Sequence, residues 1–379
     1  MAQIIKCNLQ ESLRNVFQCD PTVDMTMDKV AFSQFLYDQS NMFNLQSRLL
    51  NNNGQKTNVE LMWKQPDCSE AIDGCFTDVC IEGPAPIGYK SEIYSIECNN
   101  DNSAFARITF NIEDYRTMLA IGDDVTPIGF PTINATNEFG REILRLIYNV
   151  DKKMEQKLAA SLLGYVDTTT FGFAAIEGLD AGDLAADKGK KVKTHSPIDC
   201  ATGTIKDLFT EVRKSANAAN FCQLPVIIGF DMVADYIKLN QSLCCDYDGY
   251  NLATALAGNQ IPFLNSVEIS RALAAANGTS IYGNPHFLSV NLGEFQVVNY
   301  TRFNGLFRLK TDTMWKDKIV SPYTGRDMNI AIRLDECASK VTVVVGATEE
   351  LIKAPTDKCA TSDSFGANGI QQFYIKNEC

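Results

Sequence analysis

Histidine and tryptophan are scarce in this chain of 379 residues, which has two of each. Any Ser–His or Cys–His dyad, or any His-rich metal centre, would have to use His195 or His286. His195 lies in a basic, loop-like stretch where nothing orients it. His286 follows Asn284-Pro285, a turn ahead of a strand-like run, which suits a packed side chain. Positive charge is also in deficit, with Lys+Arg 34 against Asp+Glu 46 and a formal net charge of −12. Gripping nucleic acid requires surplus Lys and Arg to neutralise phosphates, so that main task is excluded, although a protein that merely faces DNA is not. No run of about eighteen apolar residues occurs, which excludes a membrane-spanning helix. The start, Met1-Ala2-Gln3-Ile4-Ile5-Lys6-Cys7-Asn8, lacks a charged segment followed by an apolar run, so no secretory leader is expected. Gly-x-Ser-x-Gly, Gly-x-x-x-x-Gly-Lys-Ser/Thr, His-Glu-x-x-His and Gly-x-Gly-x-x-Gly are missing as well.

What is present is globular composition: 45% hydrophobic, 21% charged and 9% aromatic residues, enough for a substantial core. There are thirteen cysteines. Cys68, Cys75, Cys80 and Cys98 crowd together, and Cys244 and Cys245 are adjacent. The gaps of six, four and seventeen residues in the first group match no standard zinc ribbon or finger. Buried reduced thiols acting as small hydrophobes are the simpler reading, and an odd count disfavours a complete disulfide framework.

The strongest periodic signal runs from Asn137 to Leu163. Phe139, Ile143, Ile147, Val150, Met154 and Leu158 recur at steps of four, four, three, four and four, with Leu144, Leu146 and Leu162 widening the stripe. This predicts a helix of roughly seven turns, about 40 Å long, started by Thr136 and stopped by Gly164. Phe139, Ile143, Ile147 and Met154 are its expected packing residues. Ahead of it, Ser91–Glu97 and the alternating run Ala104–Ile112 predict a hairpin turned by Asn99-Asn100-Asp101-Asn102-Ser103. Residues 1–60 read as an arm with short helices around Gln10–Phe17 and Asp28–Leu50, the second halted by Asn51-Asn52-Asn53-Gly54. Between Gln65 and Gly88 the chain is rich in Pro, Gly, Asp and Cys and reads as irregular.

Past the long helix, residues 165–200 read as loop, including the basic cluster Lys188, Lys190, Lys191 and Lys193. Thr204–Ala219 is helical in pattern, Leu224–Gly229 is a short buried strand, and a further helix spans Asp231 to Asn240. Residues 242–283 are small and loopy, with a helix-like piece at Tyr250–Ala257. Strands are expected at Phe287–Asn291, Gln296–Tyr300, Arg302–Lys310, Met328–Leu334 and Lys340–Gly346. The succession is α+β.

The acidic pairs Asp123-Asp124 and Glu349-Glu350 could bind a hard cation, and Asp246-Tyr247-Asp248-Gly249-Tyr250 is like a fragment of a calcium loop. That fragment lacks the terminal bidentate Glu, so solvated carboxylates are expected. Neither a catalytic residue nor a cofactor nor a metal is assigned, and the chain is not expected to be an enzyme.

The order of elements is an arm, a long hairpin, one long amphipathic helix, helix–strand–helix, a loopy insertion and C-terminal strands. It resembles the major capsid proteins of tailed bacteriophages, the Hong Kong 97-type fold. Ala104–Ile112 with its polar tip, Asn137-Glu138-Phe139-Gly140-Arg141-Glu142-Ile143-Leu144 onward to Gly164, Leu224–Phe230, Leu288–Tyr300 and Met328–Gly346 carry the resemblance. It implies an N-terminal arm at 1–85, an extended hairpin region at 86–135, a peripheral domain with a spine helix at 136–228, an axial domain at 229–300 and peripheral strands at 301–379. It further implies that Phe105, Arg107, Ile108 and Phe110 are hairpin contacts on a neighbouring subunit. Copies of the chain would form pentamers and hexamers of an icosahedral shell in the virion, assembled in the host bacterial cytoplasm. That shell would include portal and scaffold or decoration proteins, and would enclose DNA without specific binding or any membrane. A nanocompartment shell, a tail or baseplate protein, or a thiol- or metal-dependent enzyme using Cys68–Cys98 are the alternatives.

Overall fold

The apolar stripe at 137–163 forms one helix, labelled α2, spanning Ile133–Gly164 and 32 residues long, about 48 Å at 1.5 Å per residue. It belongs to a computed structural model that describes residues 29–38, 46–52, 56–64, 89–111, 133–166, 192–195, 208–219, 221, 224–230, 233–234, 261–277, 280–281, 285–300, 314–335, 337–353 and 369–375. Ile143, Ile147 and Met154 have no exposed surface, and Leu144, Leu146, Val150, Leu158 and Leu162 are buried with them. Arg141 and Arg145 face solvent. The side chain of Phe139 lies outside the described residues. At the C-terminal end, Tyr165 N donates to Leu162 O and Val166 N to Leu163 O, closing the last turn with short-range bonds.

The first half of α2 lies on a five-stranded antiparallel sheet made of β4 (Ser103–Asn111), β9 (Phe295–Tyr300), β10 (Met314–Val320), β11 (Asp327–Asp335) and β12 (Lys340–Lys353). The order is β10-β11-β12-β4, and β9 pairs with the far half of β12. Alternation is strict over the first half of β12: Val341, Val343, Val345 and Ala347 are buried, while Thr342, Val344 and Gly346 are half-buried on the opposite face. Val343, Val345, Ile330, Met328, Ile319 and Phe110 join Ile143, Ile147 and Met154 in one cluster.

The second half of α2 packs on another sheet. Its strands β5 (Val192–His195), β6 (Val226–Gly229), β7 (Phe263–Asn265), β8 (His286–Val290) and β13 (Ile370–Ile375) run in the order β5-β13-β8-β6-β7. Leu158, Ala159 and Leu162 meet Val226, Ile228, Leu288 and Val290 on one face, together with Ile269 and Leu273 of α4 (Val267–Asn277). Leu208, Phe209 and Val212 of α3 (Leu208–Ala218) cover Ile227, Phe287 and Phe373 on the other. Cover on both faces explains why Val226-Ile227-Ile228 reads as an uninterrupted apolar run.

A third sheet, β1 (Gln46–Asn52), β2 (Lys56–Lys64) and β3 (Tyr89–Glu97), is antiparallel in that order. Val59, Leu61, Trp63 and Ile96 anchor it to Val298 of β9 and Ile352 of β12.

Four expectations change. Ser91–Glu97 and Ala104–Ile112 do form strands, but they do not pair with each other: β3 pairs with β2, and β4 pairs with β12. The polar turn at 99–102 crosses between two sheets, and the long hairpin is β2–β3, whose paired ends are Lys64 and Tyr89. The helix expected at Asp28–Leu50 is the short α1, Ala31–Asp38, followed by β1. Asn51 and Asn52 lie in β1 and so stop no helix, while Asn53-Gly54 lies outside the described residues. The stretch at 242–283 contains β7 and α4. Within residues 229–300, β7 and β8 belong to the β5-β13-β8-β6-β7 sheet, and β9 pairs with β12 of the other five-stranded sheet. The expected segments at 10–17, 250–257 and 302–310, Asp246 and Asp248 lie outside the described residues.

Replacing Ile147 by Ala removes a side chain with no exposed surface from the α2–sheet interface, at an expected cost of about 2–5 kcal/mol. A urea unfolding midpoint equal to that of the parent chain contradicts the packing described.

Candidate functional site

Helix α2 carries two acidic residues, Asp151 and Glu155, on its buried side, one turn apart, and neither has exposed surface. Facing them is the turn between β10 and β11, Ser321-Pro322-Tyr323-Thr324-Gly325-Arg326. Gly325 holds φ +76 there, a value that costs glycine nothing. The turn delivers Arg326, also fully buried, into the space between α1, α2 and β12.

Arg326 uses its whole fork. Nε donates to Glu349 Oε2 at 2.7 Å and Nη2 to Glu349 Oε1 at 2.8 Å. Nη1 donates to Asp151 Oδ1, and Nη2 also reaches Ser33 Oγ at 2.7 Å. Thr324 Oγ1 (2.9 Å) and Ser321 Oγ donate to Asp151. The hydroxyl of Tyr37 donates to Glu349 Oε2 at 2.6 Å and accepts from Asn299 Nδ2 at 3.0 Å. A buried bidentate pair of this kind is the strong form of the interaction.

Glu155 completes the node from the next turn. It accepts from Phe32 N at 2.9 Å and Ser33 N at 2.8 Å, the first-turn amides of α1 that helix geometry leaves without partners, and from Ser33 Oγ. Helix α2 thereby caps α1.

Burial governs the charges. It pushes the Glu155 carboxyl up to about 7, against the pull of the Ser33 and Phe32 donors and of Arg326. It raises the Asp151 carboxyl too, although Arg326, Ser321 and Thr324 pull the other way. Burial lowers the Arg326 guanidinium, but Glu349 and Asp151 more than offset this and hold it above its ordinary value. Burial and the Glu349 charge raise the Tyr37 phenol.

Beside the node an open pocket of about 660 Å³ lies between α2 and the 99–102 turn, with Lys153, Gln156, Lys157, Ser161 and Glu350 in its walls. Lys157 Nζ donates to Ser103 O at 2.7 Å and to Asn100 O, tying the turn to the spine. The turn also ties itself: Asn102 Nδ2 donates to Glu97 O at 2.7 Å, and Asp101 N to Asn99 Oδ1 at 2.8 Å.

The residues singled out from sequence divide by face. Ile108 and Phe110 point at α2, and Phe110 is buried in the cluster beneath it, within the same chain. Phe105 is 74% exposed, and Arg107 is exposed beside it on the opposite face. These four therefore sit on a sheet and not on the long hairpin. Ile143, Ile147 and Met154 are buried. Cys98 and Cys337 are exposed free thiols, and the other members of the Cys68–Cys98 group lie outside the described residues. No group of three metal-ligating side chains occurs among the described residues. His286 is buried against Tyr374, ring centroids 4.9 Å apart, with Gln372 Nε2 3.1 Å from Nδ1, and burial pushes it down to about 4. His195 is in β5. Glu349, read as half of a solvated pair, is the main partner of Arg326, and Glu350 lines the pocket. Arg326 itself was invisible, one Arg in a turn. The available signal was Asp151 and Glu155, carboxylates set inside the apolar stripe.

No family model matches the chain, and no curated protein matches it. Solved structures are similar at low identity: a chain of Mycobacterium phage Bobi (11% identity, TM-score 0.39, 89% of this chain and 90% of that one); a phage-related protein from Bordetella bronchiseptica RB50 (11%, 0.34, 94% and 96%); and a chain of the capsid of Ralstonia phage GP4 (11%, 0.33, 86% and 86%).

Because the folded Glu155 carboxyl titrates near 7, above the ordinary value of 4.5, folding takes up a proton there. Its stabilising contribution is complete below about pH 4.5 and is lost as pH rises through 7. Melting temperature should therefore fall between pH 5 and 8 by more in the parent chain than in Glu155→Gln. Equal slopes contradict this assignment.

Proposed function

We propose that the chain is a virion structural protein, the subunit that builds the icosahedral head shell of a tailed bacteriophage. The observation that supports this most is the division of labour in the fold. One long helix bridges two sheets, giving a body fixed by a buried ion-pair node. From that body a separate three-stranded sheet carries the β2–β3 hairpin. On β3, residues 89–93 are all exposed, and Tyr89 and Ile93 keep 68% and 63% of their surface in solvent. Large apolar side chains displayed on a strand that leaves the body suit contact with another protein surface.

In this reading α2 and the β10-β11-β12-β4 sheet form the peripheral unit. The β5-β13-β8-β6-β7 sheet forms the axial unit, so the axial unit includes the last strand of the chain. The hairpin that reaches a neighbour is β2–β3. Copies of the chain associate as pentamers and hexamers; portal and scaffold or decoration proteins are further partners. The excess of acidic residues lets the shell enclose DNA without gripping it, and the role involves no catalytic step.

Sedimentation velocity with negative-stain microscopy on the purified chain tests this. Closed particles, or five- and six-fold rings, are expected. A 41.9 kDa monomer at every concentration, with no rings, contradicts it.

A further inference from the structure

Three buried carboxylates, Asp151, Glu155 and Glu349, share the single guanidinium of Arg326. Arg326 forms ion pairs with Asp151 and Glu349. Glu155 is bonded to no cation among the described residues; its partners are Phe32 N, Ser33 N and Ser33 Oγ. With all three carboxylates ionised against one guanidinium, the cluster holds a net charge of −2 in a site closed to water. Surplus charge of that kind is costly to bury, and Glu155 is the member whose ionisation no ion pair offsets. The charged and titratable groups around it are Tyr37 on α1, Asp151 on α2, Arg326 in the β10–β11 turn and Glu349 on β12. Strand β7, which also lies against α1, brings no titratable side chain.

Helix α1 is the element this carboxyl holds. At 8 residues it is too short to persist by itself. It stays in place through Phe32 and Leu36, buried beside Leu158 and Leu162, through the Tyr37–Glu349 and Ser33–Arg326 bonds, and through Glu155. Undocking it breaks no strand pairing, and Arg326 keeps both of its carboxylates. It also brings Glu155 into water, where ionisation carries no penalty. We infer that Glu155 is a pH-gated latch on α1: protonated, it holds the helix on α2, and ionised, it lets the helix undock locally while α2 and both five-stranded sheets stay folded. The Glu155 carboxyl, pushed up to about 7 in the docked state, returns toward its ordinary 4.5 when α1 leaves. Undocking therefore releases a proton between those two values, and within that window each pH unit makes it about tenfold more frequent. Below pH 4.5 both states are protonated and the latch is fully set; above 7 both are ionised and the effect levels off. Tyr37, held above its ordinary value by burial and the Glu349 charge, stays neutral throughout. The latch is internal to one chain and stands whether or not copies assemble.

Native-state hydrogen exchange of the full chain from pH 5 to 8, corrected for the intrinsic exchange rate, tests this. Protection of the α1 amides should fall roughly fiftyfold across that range, most of it below pH 7. At each pH, α1 should be less protected than residues 143–158 of α2, because its opening is local. Glu155→Gln, fixed in the neutral state, should hold α1 protection within about threefold over the same range. Ser33→Ala, which removes a donor that favours the ionised carboxyl, should carry the fall on beyond pH 7. A parent α1 that changes by less than about threefold, an equal fall in Glu155→Gln, or α1 protection equal to that of α2 overturns the latch. If Glu155→Gln does not fold, Ser33→Ala decides: a fall that levels off where the parent's does overturns it, and one that continues to higher pH supports it.

Discussion

A guanidinium with no exposed surface has to be neutralised where it stands, and Arg326 is neutralised by carboxylates from two different elements. Asp151 comes from α2 and Glu349 from β12, while Ser33 and Tyr37 bring α1 to the same point. Each group is costly to bury alone, so the elements are held in one relative arrangement or the node is not formed. Hydrophobic contact along α2 supplies most of the attraction between helix and sheets, but it is tolerant of sliding. A bidentate ion pair is not.

The consequences run outward from that point. Fixing the arm helix against α2 sets where the chain leaves for β1 and β2. The 99–102 turn, bound to Lys157 and, through Asn102 O, to Glu349 N, sets where β3 ends and β4 begins. The hairpin is thus mounted at both ends on the same rigid centre, and the outward face of the adjacent sheet is held in a constant relation to it. The symmetric assembly proposed above would need that constancy more than exceptional stability.

Much of this was legible in the sequence where periodicity was long. The stripe from Phe139 to Leu158 is sustained over several turns, and the helix it predicts extends from Ile133 to Gly164. The alternation at 104–112 and 340–346 marked β4 and the first half of β12. Pairing was not legible, because β3 and β4 flank a polar turn that looks like a hairpin tip, yet their partners, β2 and β12, are separated from them by 24 residues in one case and by more than two hundred in the other. Gln46–Asn52 resembled the end of a helix because Leu49 and Leu50 extend the α1 pattern; pairing with β2 overrode that weak preference. The ion-pair node was hidden for a related reason. Arg326 and Glu349 are ordinary surface residue types, and only the fold brings both to Asp151.

The most direct measurement is urea unfolding of Arg326→Met beside the triple variant Arg326→Met, Asp151→Leu, Glu349→Leu. If the node holds the elements in place, the single change strands two buried carboxylates and costs about 3–5 kcal/mol, and the triple variant recovers most of that loss. A single variant within about 1 kcal/mol of the parent, or a triple variant no more stable than the single, contradicts the account.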